Sequence, residues 1–415
     1  MSIMRIAYFV WEYPPRLVGG LGTYATDMTR KLKEMGNEIS VFTLNTNNLP
    51  TSETLEGIEV HRPKIVDATH VLTTFISEEL KRWGTGLKFF NDIFVYNLLS
   101  ASKFINQISL KNKFDLVVVH DWLSAIAGLI IKKSLDLPVV FHVHSTEEQR
   151  TGNGSSIIKE LEKKMAEQAD MIITVSYSMR DHLLSLGYPK EKIDVVWNGC
   201  DPDLYNPEKV DQNILNSLKE RYEVKEGEKI ILFIGRLTWI KGVENLVLAF
   251  PEVLKEFPNS KLIILGKGEE YNDLIELCER LKIKDKVKIR SEFVSVKERI
   301  AHYALADVCV FPSFAEPFGI VSLEAMSMEK PVVVGSTGIS GFKEQVIHGG
   351  ENECGVHVDG KNSQSIASGI KEVLKDPERA RRMGKNGRKR VIEYFSIDKV
   401  AKTTLDLYKK LVEKT

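Results

Sequence analysis

The chain has 415 residues, of which 43% are hydrophobic and 27% are charged, and its 57 lysines and arginines balance its 57 aspartates and glutamates. This ordinary globular composition excludes disordered, collagen-like and fibrous chains, and the balanced charge argues against a nucleic-acid partner. At about 150 residues per domain, the length predicts two or three domains.

The cysteines and the apolar runs indicate the cellular compartment that we expect for the chain. Four widely spaced cysteines are too few for a disulfide scaffold or a zinc site, so we expect a reducing cytosol. The apolar run at residues 6–11 ends at Glu12 and is too short for a secretory signal or a membrane span. We therefore expect a cytoplasmic protein without stable membrane insertion.

Short apolar runs alternate with helical spacing from the first residues onward, which predicts parallel sheet in an α/β fold. A helix is predicted over residues 21–35, with Gly36 as its stop. The first half contains candidate strands at residues 6–10, 39–44, 116–119, 139–143, 171–175 and 193–197.

The alternation then begins again, which predicts a second Rossmann-like half. Its strands are expected at residues 230–234, 262–265, 287–289, 308–311 and 331–334. Its helices are expected at residues 243–257, 272–281, 297–304, 320–328, 363–375 and 377–394, before a last helix at 398–412. The basic stretch 379–390 has no aromatic residue for base stacking, so we interpret it as a solvated helix face.

These patterns predict two domains, residues 1–205 and 206–396, joined by a linker in the region 201–228. Open parallel sheets bind ligands at the carboxyl ends of their strands. We therefore expect the two domains to face each other across a cleft, with the chemistry placed just after strands.

A glycine-rich loop follows the first strand and opens the first helix. Gly19 and Gly20 would leave backbone N–H groups at a helix N-terminus, which suits a phosphate. The alternative is a turn that needs glycine only for positive φ. The loop is not GxGxxG, so a dinucleotide site is not predicted.

Two later strand ends carry histidines. His142 and His144 lie on the same face of their strand, and His144 at its end could donate a hydrogen bond or carry a proton. His120 and His142 are equally well explained as structural residues. The three histidines with Asp121 lack the spacing typical of a metal site, so no metal is predicted.

In the second half, Arg236 and Lys241 follow a strand, and each lies beside a glycine. Two cations so placed can clamp a diphosphate and offset charge as a phosphate departs. Solvated surface cations are the weaker interpretation.

Glu316 and Glu324 form the strongest local signal. Glu316 precedes a helix whose first amides can hold an anion, and Glu324 lies about two turns further on. Such carboxylates can bind the hydroxyls of a sugar and of a ribose. The alternative is a capping glutamate plus a surface glutamate, but Pro317-Phe318-Gly319, read as an odd surface turn, favours function.

Asp201-Pro202-Asp203 matches the Asp-x-Asp that binds a metal in a different transferase fold. Because it follows Asn198-Gly199 at the domain exit, we interpret it as turn chemistry.

Together these motifs resemble the retaining glycosyltransferases of the GT-B fold, family 4, with glycogen and starch synthases as close relatives. Glu316-x7-Glu324 is similar to the paired-glutamate motif of that family. The other resembling segments are Gly19-Gly20-Leu21, His120-Asp121-Trp122, His144, Asn198-Gly199-x-Asp201, Arg236 with Lys241-Gly242, and Gly338-Ile339-Ser340-Gly341.

The resemblance implies that Arg236 and Lys241 hold the diphosphate of the donor, while Glu316 contacts its sugar and Glu324 its ribose. It implies that the segment Phe318, Gly319 and Ile320 lines the donor site.

On the other side, the resemblance implies that His144 touches the transferred sugar and that Asp121 lies beside the acceptor or sugar pocket. It implies that Gly19 and Gly20 let the backbone approach the diphosphate.

The resemblance further implies an ADP- or UDP-sugar donor, a glycan acceptor, no metal or other cofactor, and a final helix, about residues 397–415, that crosses back to the first domain. The oligomeric state stays open. Bacterial-type glycogen synthases carry Lys-x-Gly-Gly-Leu in the first loop, but here Leu17 stands in place of the lysine, with Arg16 one residue earlier.

Three functions are therefore retained: an α-glucan synthase, a family-4 hexosyltransferase acting on a lipid, small-molecule or other glycan acceptor, and a non-catalytic binding protein for a nucleotide sugar or glucan.

Overall fold

The computed structural model describes residues 3–46, 48–83, 86–152, 154–292 and 294–414. The chain divides into two compact units, Met1–Trp197 with Val400–Thr415 and Asn198–Lys399. Residues 198–205, which the sequence analysis placed in the first domain, group with the second unit. Cys200 shows why, because its N–H donates to the carbonyl of Phe395 at 2.9 Å.

The first unit is built on a sheet that has eight strands within the described residues. The order is β3-β4-β2-β1-β5-β6-β7-β8, and every neighbouring pair is parallel except β3 and β4. The strands are β1 (Arg5–Phe9), β2 (Glu38–Phe42), β3 (Ser52–Leu55), β4 (Ile58–His61), β5 (Leu116–His120), β6 (Val139–Val143), β7 (Met171–Thr174) and β8 (Ile193–Val195).

Helices connect these strands, as the crossover of a parallel sheet requires. They are α1 (Gly20–Glu34), α2 (Thr69–Phe75), α3 (Glu78–Lys81), α4 (Gly86–Lys103), α5 (Ser109–Lys111), α6 (Asp121–Ser134), α7 (Glu147–Thr151), α8 (Ser156–Gln168) and α9 (Tyr177–Ser185), with a π-helical turn at Phe104–Ile108 and a 3₁₀ turn at Lys190–Lys192.

The second unit contains a wholly parallel sheet, with six strands in the part of the chain described. Its order, β11-β10-β9-β12-β13-β14, runs outward in both directions from the central pair β9 and β12. The strands are β9 (Lys229–Ile234), β10 (Ser260–Leu265), β11 (Val287–Arg290), β12 (Val308–Phe311), β13 (Val332–Gly335) and β14 (Gly355–Val358). Both units thus confirm the predicted α/β, Rossmann-like architecture.

The remaining helices follow the predicted pattern, except that α10, in the predicted linker, and α15 were not predicted as separate helices. They are α10 (Gln212–Arg221), α11 (Val243–Glu256), α12 (Tyr271–Arg280), α13 (Val296–Leu305), α14 (Ile320–Ser327), α15 (Phe342–Gln345), α16 (Ser363–Lys375), α17 (Pro377–Tyr394) and α18 (Ile397–Val412), with 3₁₀ turns at Pro207–Lys209 and Trp239–Lys241.

The basic helix α17 is not simply a solvated face, as its sequence had indicated. Arg379 pairs with the buried carboxylate of Glu353 through two bonds of 2.9 Å. Arg388 donates to the carbonyls of Pro202 and Tyr205 at 3.2 and 3.0 Å. Arg388 therefore fastens the entry segment of the second unit at Pro202 and Tyr205, while Arg379 holds Glu353 through a bidentate, geometrically specific pair.

Among the described residues, no helix combines the length and apolar character needed to cross a bilayer. All four cysteines, each within the described ranges, are buried free thiols.

Candidate active site

The site in the second unit lies on its two central strands. Strands β9 and β12 are neighbours from which the sheet continues in opposite directions, and such a switch point is where open α/β sheets bind ligands. The loop after β9 and the loop after β12 are joined by a hydrogen bond from the N–H of Phe314 to the carbonyl of Ile240, 2.8 Å long.

Gly242 lets these two loops approach so closely, and Gly319 lets the second of them pack against α15. Gly242 begins α11 with φ of 68°, and a Cβ there would lie 2.3 Å from the carbonyl oxygen of Pro312. Gly319 begins α14 with φ of 92°, and a Cβ would lie 2.3 Å from the ring of Phe342. Neither helix has a side-chain cap at its N-terminus, so the first amides of α11 and α14 are left for another acceptor.

The structure brings the predicted residues Lys241 and Glu316 into direct contact. The Lys241 ammonium donates to the Glu316 carboxylate, which also accepts from the Ser313 hydroxyl at 3.2 Å. The backbone of Glu316 is fixed between the N–H of Gly341 and the carbonyl of Ile339, at 2.8 and 2.9 Å. Glu316 is thus a buried, positioned carboxylate at the start of α14.

Arg236 differs from Lys241 because it is exposed on the loop after β9. Within the described part of the chain it makes no ion pair or side-chain hydrogen bond. Its guanidinium is therefore available to an anionic ligand.

Glu324 is enclosed rather than exposed, so the interpretation of a surface glutamate is wrong. Its two carboxylate oxygens accept from the hydroxyls of Tyr205 and Tyr303 at 2.8 and 2.7 Å, and Arg299 lies 3.4 Å away. Burial, followed by the nearby carboxylate, raises the pKa of both tyrosines well above their usual range, so they act as donors. A contact with ribose stays a prediction.

Phe318 also departs from the sequence interpretation, because Pro317-Phe318-Gly319 is not a surface turn at its centre. The Phe318 side chain is 1% exposed and packs on Phe395, with ring centroids 5.9 Å apart. Its carbonyl accepts from the amide of Gln345 at 2.7 Å. Phe318 therefore supports the loop, and the backbone of Gly319 and Ile320 forms the start of α14.

Sequence reasoning missed a third loop in this unit. Gly266 and Gly268 follow β10, and a Cβ at these positions would lie 1.7 and 2.0 Å from the carbonyl oxygens of Gly235 and Leu237. Only glycine allows this approach to the loop that carries Arg236. A Gly-x-Gly immediately after a predicted strand was the available signal.

In the first unit, three predicted histidines meet at the carboxyl ends of β5 and β6. The rings of His142 and His144 stack with centroids 4.3 Å apart, which confirms that they share a face. Nδ1 of His120 and Nε2 of His144 are 3.1 Å apart. Burial lowers the pKa of all three imidazoles well below the usual value, so they are neutral at pH 7.

The same cluster is disposed more like packed imidazoles than like a metal site. Its candidate ligand nitrogens lie within 4.8 Å of one another. However, the ring planes are inclined by only 20° to 27°, so the in-plane lone pairs do not converge as tetrahedral ligation requires. The absence of a metal requirement stays a prediction.

Asp121 holds the backbone at His144. It begins α6 in the left-handed region, with φ of 50°, and its Oδ1 accepts from the N–H groups of His144 and Ser145 at 2.7 and 3.2 Å. Its other oxygen accepts from Arg150 at 2.5 Å. Burial raises the pKa of Asp121, while Arg150 and the backbone bonds oppose that shift. The predicted residues Asp121 and His144 are therefore joined by a direct hydrogen bond.

The glycine loop does receive an anion, but from within the chain. The Glu12 carboxylate accepts from the N–H groups of Val18 and Gly19 at 2.8 and 2.9 Å. Gly19 is extended, with φ of −157°, so positive φ does not explain it. A Cβ at Gly22 would lie 2.9 Å from the same carboxylate. Sequence reasoning gave Glu12 no role, and whether Gly19 and Gly20 contact a diphosphate stays a prediction.

Asp201 confirms the interpretation of Asp-x-Asp as turn chemistry. Its Oδ1 accepts from the N–H groups of Asp203 and Leu204, at 2.9 and 3.1 Å.

Comparison with known families accounts for most of the chain. The model described as "Glycosyl transferases group 1" matches residues 216–390, and the model described as "Glycosyltransferase Family 4" matches residues 18–204. An uncharacterized glycosyltransferase of Methanocaldococcus jannaschii is 34% identical over 99% of both chains. A glycogen synthase of Mycobacterium tuberculosis is 28% identical over 98% of this chain and 94% of the relative.

Solved structures share the fold. A sucrose-phosphate synthase from Thermosynechococcus elongatus superposes with a TM-score of 0.79 at 23% identity, over 99% of this chain and all of that chain. Anabaena HepE in complex with UDP-glucose gives a TM-score of 0.75 at 18% identity, over 98% of this chain and all of that one.

The histidine cluster predicts a loss of stability in acid. The unfolded chain takes up protons below about pH 6.5, while burial keeps His120, His142 and His144 neutral in the folded chain. The contribution of these histidines to stability is therefore full above that pH and decreases as the pH falls, with a slope that approaches about 1.4 kcal/mol per pH unit for each histidine once the unfolded imidazole is protonated. Thermal unfolding between about pH 7 and pH 5 measures this loss.

His142→Asn should show a smaller decrease in Tm over that range, because one imidazole no longer titrates. His70→Asn, at an exposed position, serves as the control and should keep the wild-type dependence. Equal pH dependence in both variants would contradict the role of burial.

The Glu324 network predicts a stability cost for a single missing hydroxyl. Tyr303→Phe leaves one buried carboxylate oxygen without its donor, which should lower the free energy of unfolding by about 1–3 kcal/mol. Tyr188→Phe is the matched control, because the Tyr188 hydroxyl is buried and has no hydrogen-bond partner among the residues that the structure describes. Urea unfolding that gives both variants the same stability would refute the network.

Proposed function

Because the chain belongs to the group 1 glycosyltransferases of the GT-B fold, we propose that it transfers glucose from ADP- or UDP-glucose to a hydroxyl of a glucan, with retention of anomeric configuration. The observation that carries the proposal is the contact of Lys241 with Glu316, on the loops where an exposed Arg236 and two uncapped helix N-termini are also found. These groups would together bind an anionic leaving group attached to a sugar.

The catalytic contribution of this site would be electrostatic. As the bond between the anomeric carbon and the diphosphate breaks, negative charge accumulates on the departing phosphate. Arg236, Lys241 and the first amides of α14 at Gly319 and Ile320 would stabilise that charge. Glu316 would orient Lys241 and accept a hydrogen bond from a hydroxyl of the donor sugar.

His144 would contribute as a neutral group. Because its pKa lies well below the usual value, it can exchange hydrogen bonds with a sugar hydroxyl without adding a charge. Asp121 would keep His144 in place, because its carboxylate accepts from the backbone N–H of His144. Glu324 would reach the ribose only if one of its tyrosine donors gave way or shared an oxygen.

The proposal requires no divalent metal or other cofactor, since Arg236 and Lys241 provide positive charge at the diphosphate. Glucose and the nucleotide are supported by a relative named glycogen synthase and by a neighbour solved with UDP-glucose. A hexosyltransferase acting on a small-molecule, lipid or other glycan acceptor is the second candidate. Leu17 at the lysine position of the first loop is the observation that favours it.

Transfer of radiolabelled glucose from ADP- or UDP-glucose to maltooligosaccharides tests the function, and NMR of the product tests retention. Lys241→Ala and Glu316→Ala should each lower kcat about 100-fold or more, because they remove charge stabilisation or its orientation. Lys255→Ala, on the exposed side of the same helix α11, should retain wild-type turnover. Addition of EDTA should change nothing.

Absence of incorporation into every glucan tried, with transfer to another acceptor, would shift the assignment to the second candidate. If the Lys241 and Glu316 variants bound donor and turned over like the wild type, the site assignment would be wrong. Donor binding without any turnover would indicate a binding protein.

A further inference from the structure

A second concave site lies in the first unit, at strand ends distinct from those of the histidine cluster. It is a cavity of about 520 Å³, bordered by Trp11 beyond β1, Asn45 beyond β2 and Asp67 beyond β4, with α4 on its remaining side. Its volume falls within the range of roughly 300–1,000 Å³ typical of small-ligand pockets. Neither Asp121 nor His144 lines it.

One wall of the cavity is an exposed aromatic ring on a rigid base. Phe89 of α4 is 44% exposed, yet its ring packs edge-on against the indoles of Trp11 and Trp122, with centroids 5.4 and 6.2 Å away. Both indoles are buried. The phenyl ring therefore presents an apolar face that is held in place, which suits the C–H face of a sugar ring.

Fixed polar groups surround that ring. The Asn45 amide donates to the carbonyls of Leu49 and Arg62 at 2.9 and 3.0 Å, which orients it and leaves its oxygen without a partner among the described residues. The Arg16 guanidinium lies 5.1 Å from the centre of the Trp11 ring and makes no ion pair with any residue that the structure describes. Hydroxyl groups of a ligand can both donate and accept here.

The charge of the lining favours an uncharged ligand. Two cations, Arg16 and Lys88, are balanced by two carboxylates, Asp67 and Asp92, and Lys88 already lies 3.4 Å from Asp92. A phosphate would gain from Arg16 but would face the carboxylates. A neutral polyhydroxylated ring can donate to the carboxylates and accept from the cations at no such cost.

We propose that this cavity binds an uncharged saccharide unit of the acceptor, stacked on Phe89 and hydrogen-bonded to Asp92 and Asn45. The identification of that saccharide as an acceptor rests on the proposed function, whereas saccharide binding itself does not. The cavity would select the acceptor, because its chemistry rejects an anionic group near Asp67 and Asp92.

Maltotriose is the probe, and isothermal titration calorimetry measures its binding to the full chain. Phe89→Ala should raise the dissociation constant of maltotriose at least tenfold, and Asp92→Asn should raise it several-fold. Phe89→Tyr should bind maltotriose with near wild-type affinity, because it keeps the aromatic ring. Phe75→Ala removes a phenylalanine that is 79% exposed and does not line the cavity, and it should bind like the wild type. Thermal unfolding checks that each variant is folded.

Glucose 1-phosphate is the second probe. It should bind more weakly than maltotriose. Tighter binding that is lost in Arg16→Ala would overturn the assignment to an uncharged saccharide, as would equal maltotriose affinity in Phe89→Ala and Phe75→Ala.

Two results separate this inference from the proposed function. If glucose is transferred to maltotriose and Phe89→Ala keeps the wild-type KM for it, the cavity assignment fails and the function stands. If maltotriose binds in a Phe89-dependent way and no glucose is transferred from any donor, the function fails and the cavity assignment stands. The dissociation constant of the donor should be the same in Phe89→Ala and the wild type.

Discussion

The close approach of the loops after β9 and β12 is the constraint on which the candidate site depends. Gly242 adopts positive φ and leaves no room for a Cβ, so the loop after β9 packs on the backbone of Pro312 in the loop after β12. Gly319 likewise adopts positive φ and lets the loop after β12 pack on the ring of Phe342 in α15. That packing places Lys241 against Glu316 and leaves the N-termini of α11 and α14 without side-chain caps. A bulkier residue at either glycine would separate the charge pair and the amides together.

The two units satisfy their backbone amides in different ways. In the first unit, carboxylates of the chain itself occupy the loop amides, since Glu12 accepts from Val18 and Gly19 and Asp121 accepts from His144. In the described part of the second unit, no carboxylate accepts from the amides at the starts of α11 and α14. This difference supports placing the diphosphate of the donor in the second unit, and neutral hydroxyl groups in the first.

The sequence predicted the architecture well because the central strands are continuous apolar runs. All five residues of β5 and of β6 are buried, and Rossmann-like order follows from their alternation with helices. The hairpin of β3 and β4 was missed because polar residues such as Ser52, Glu53 and Glu59 leave neither strand with a continuous apolar run. Strand β14 was missed because Gly355 and His357 interrupt its apolar run.

Burial of polar side chains was the harder part to predict. The pair Glu316 and Glu324 was found from its spacing, but spacing does not reveal that Tyr205 and Tyr303, both distant in sequence, close around Glu324. The contacts of Glu324 depend on tertiary packing, which local pattern does not encode. Glu12 was missed for another reason: its partners, Val18 and Gly19, are close in sequence, but they donate backbone N–H groups, which leave no side-chain pattern to find.

A double-mutant cycle on donor binding tests most directly the claim that Lys241 and Glu316 act as one unit at the diphosphate. The dissociation constant of UDP-glucose or ADP-glucose, whichever the wild type binds, would be measured for Lys241→Ala, Glu316→Ala and the double variant. The contact predicts that the losses of donor-binding free energy in the two single variants are not additive, with a coupling energy of about 1 kcal/mol or more. Additivity within about 0.3–0.5 kcal/mol would contradict it.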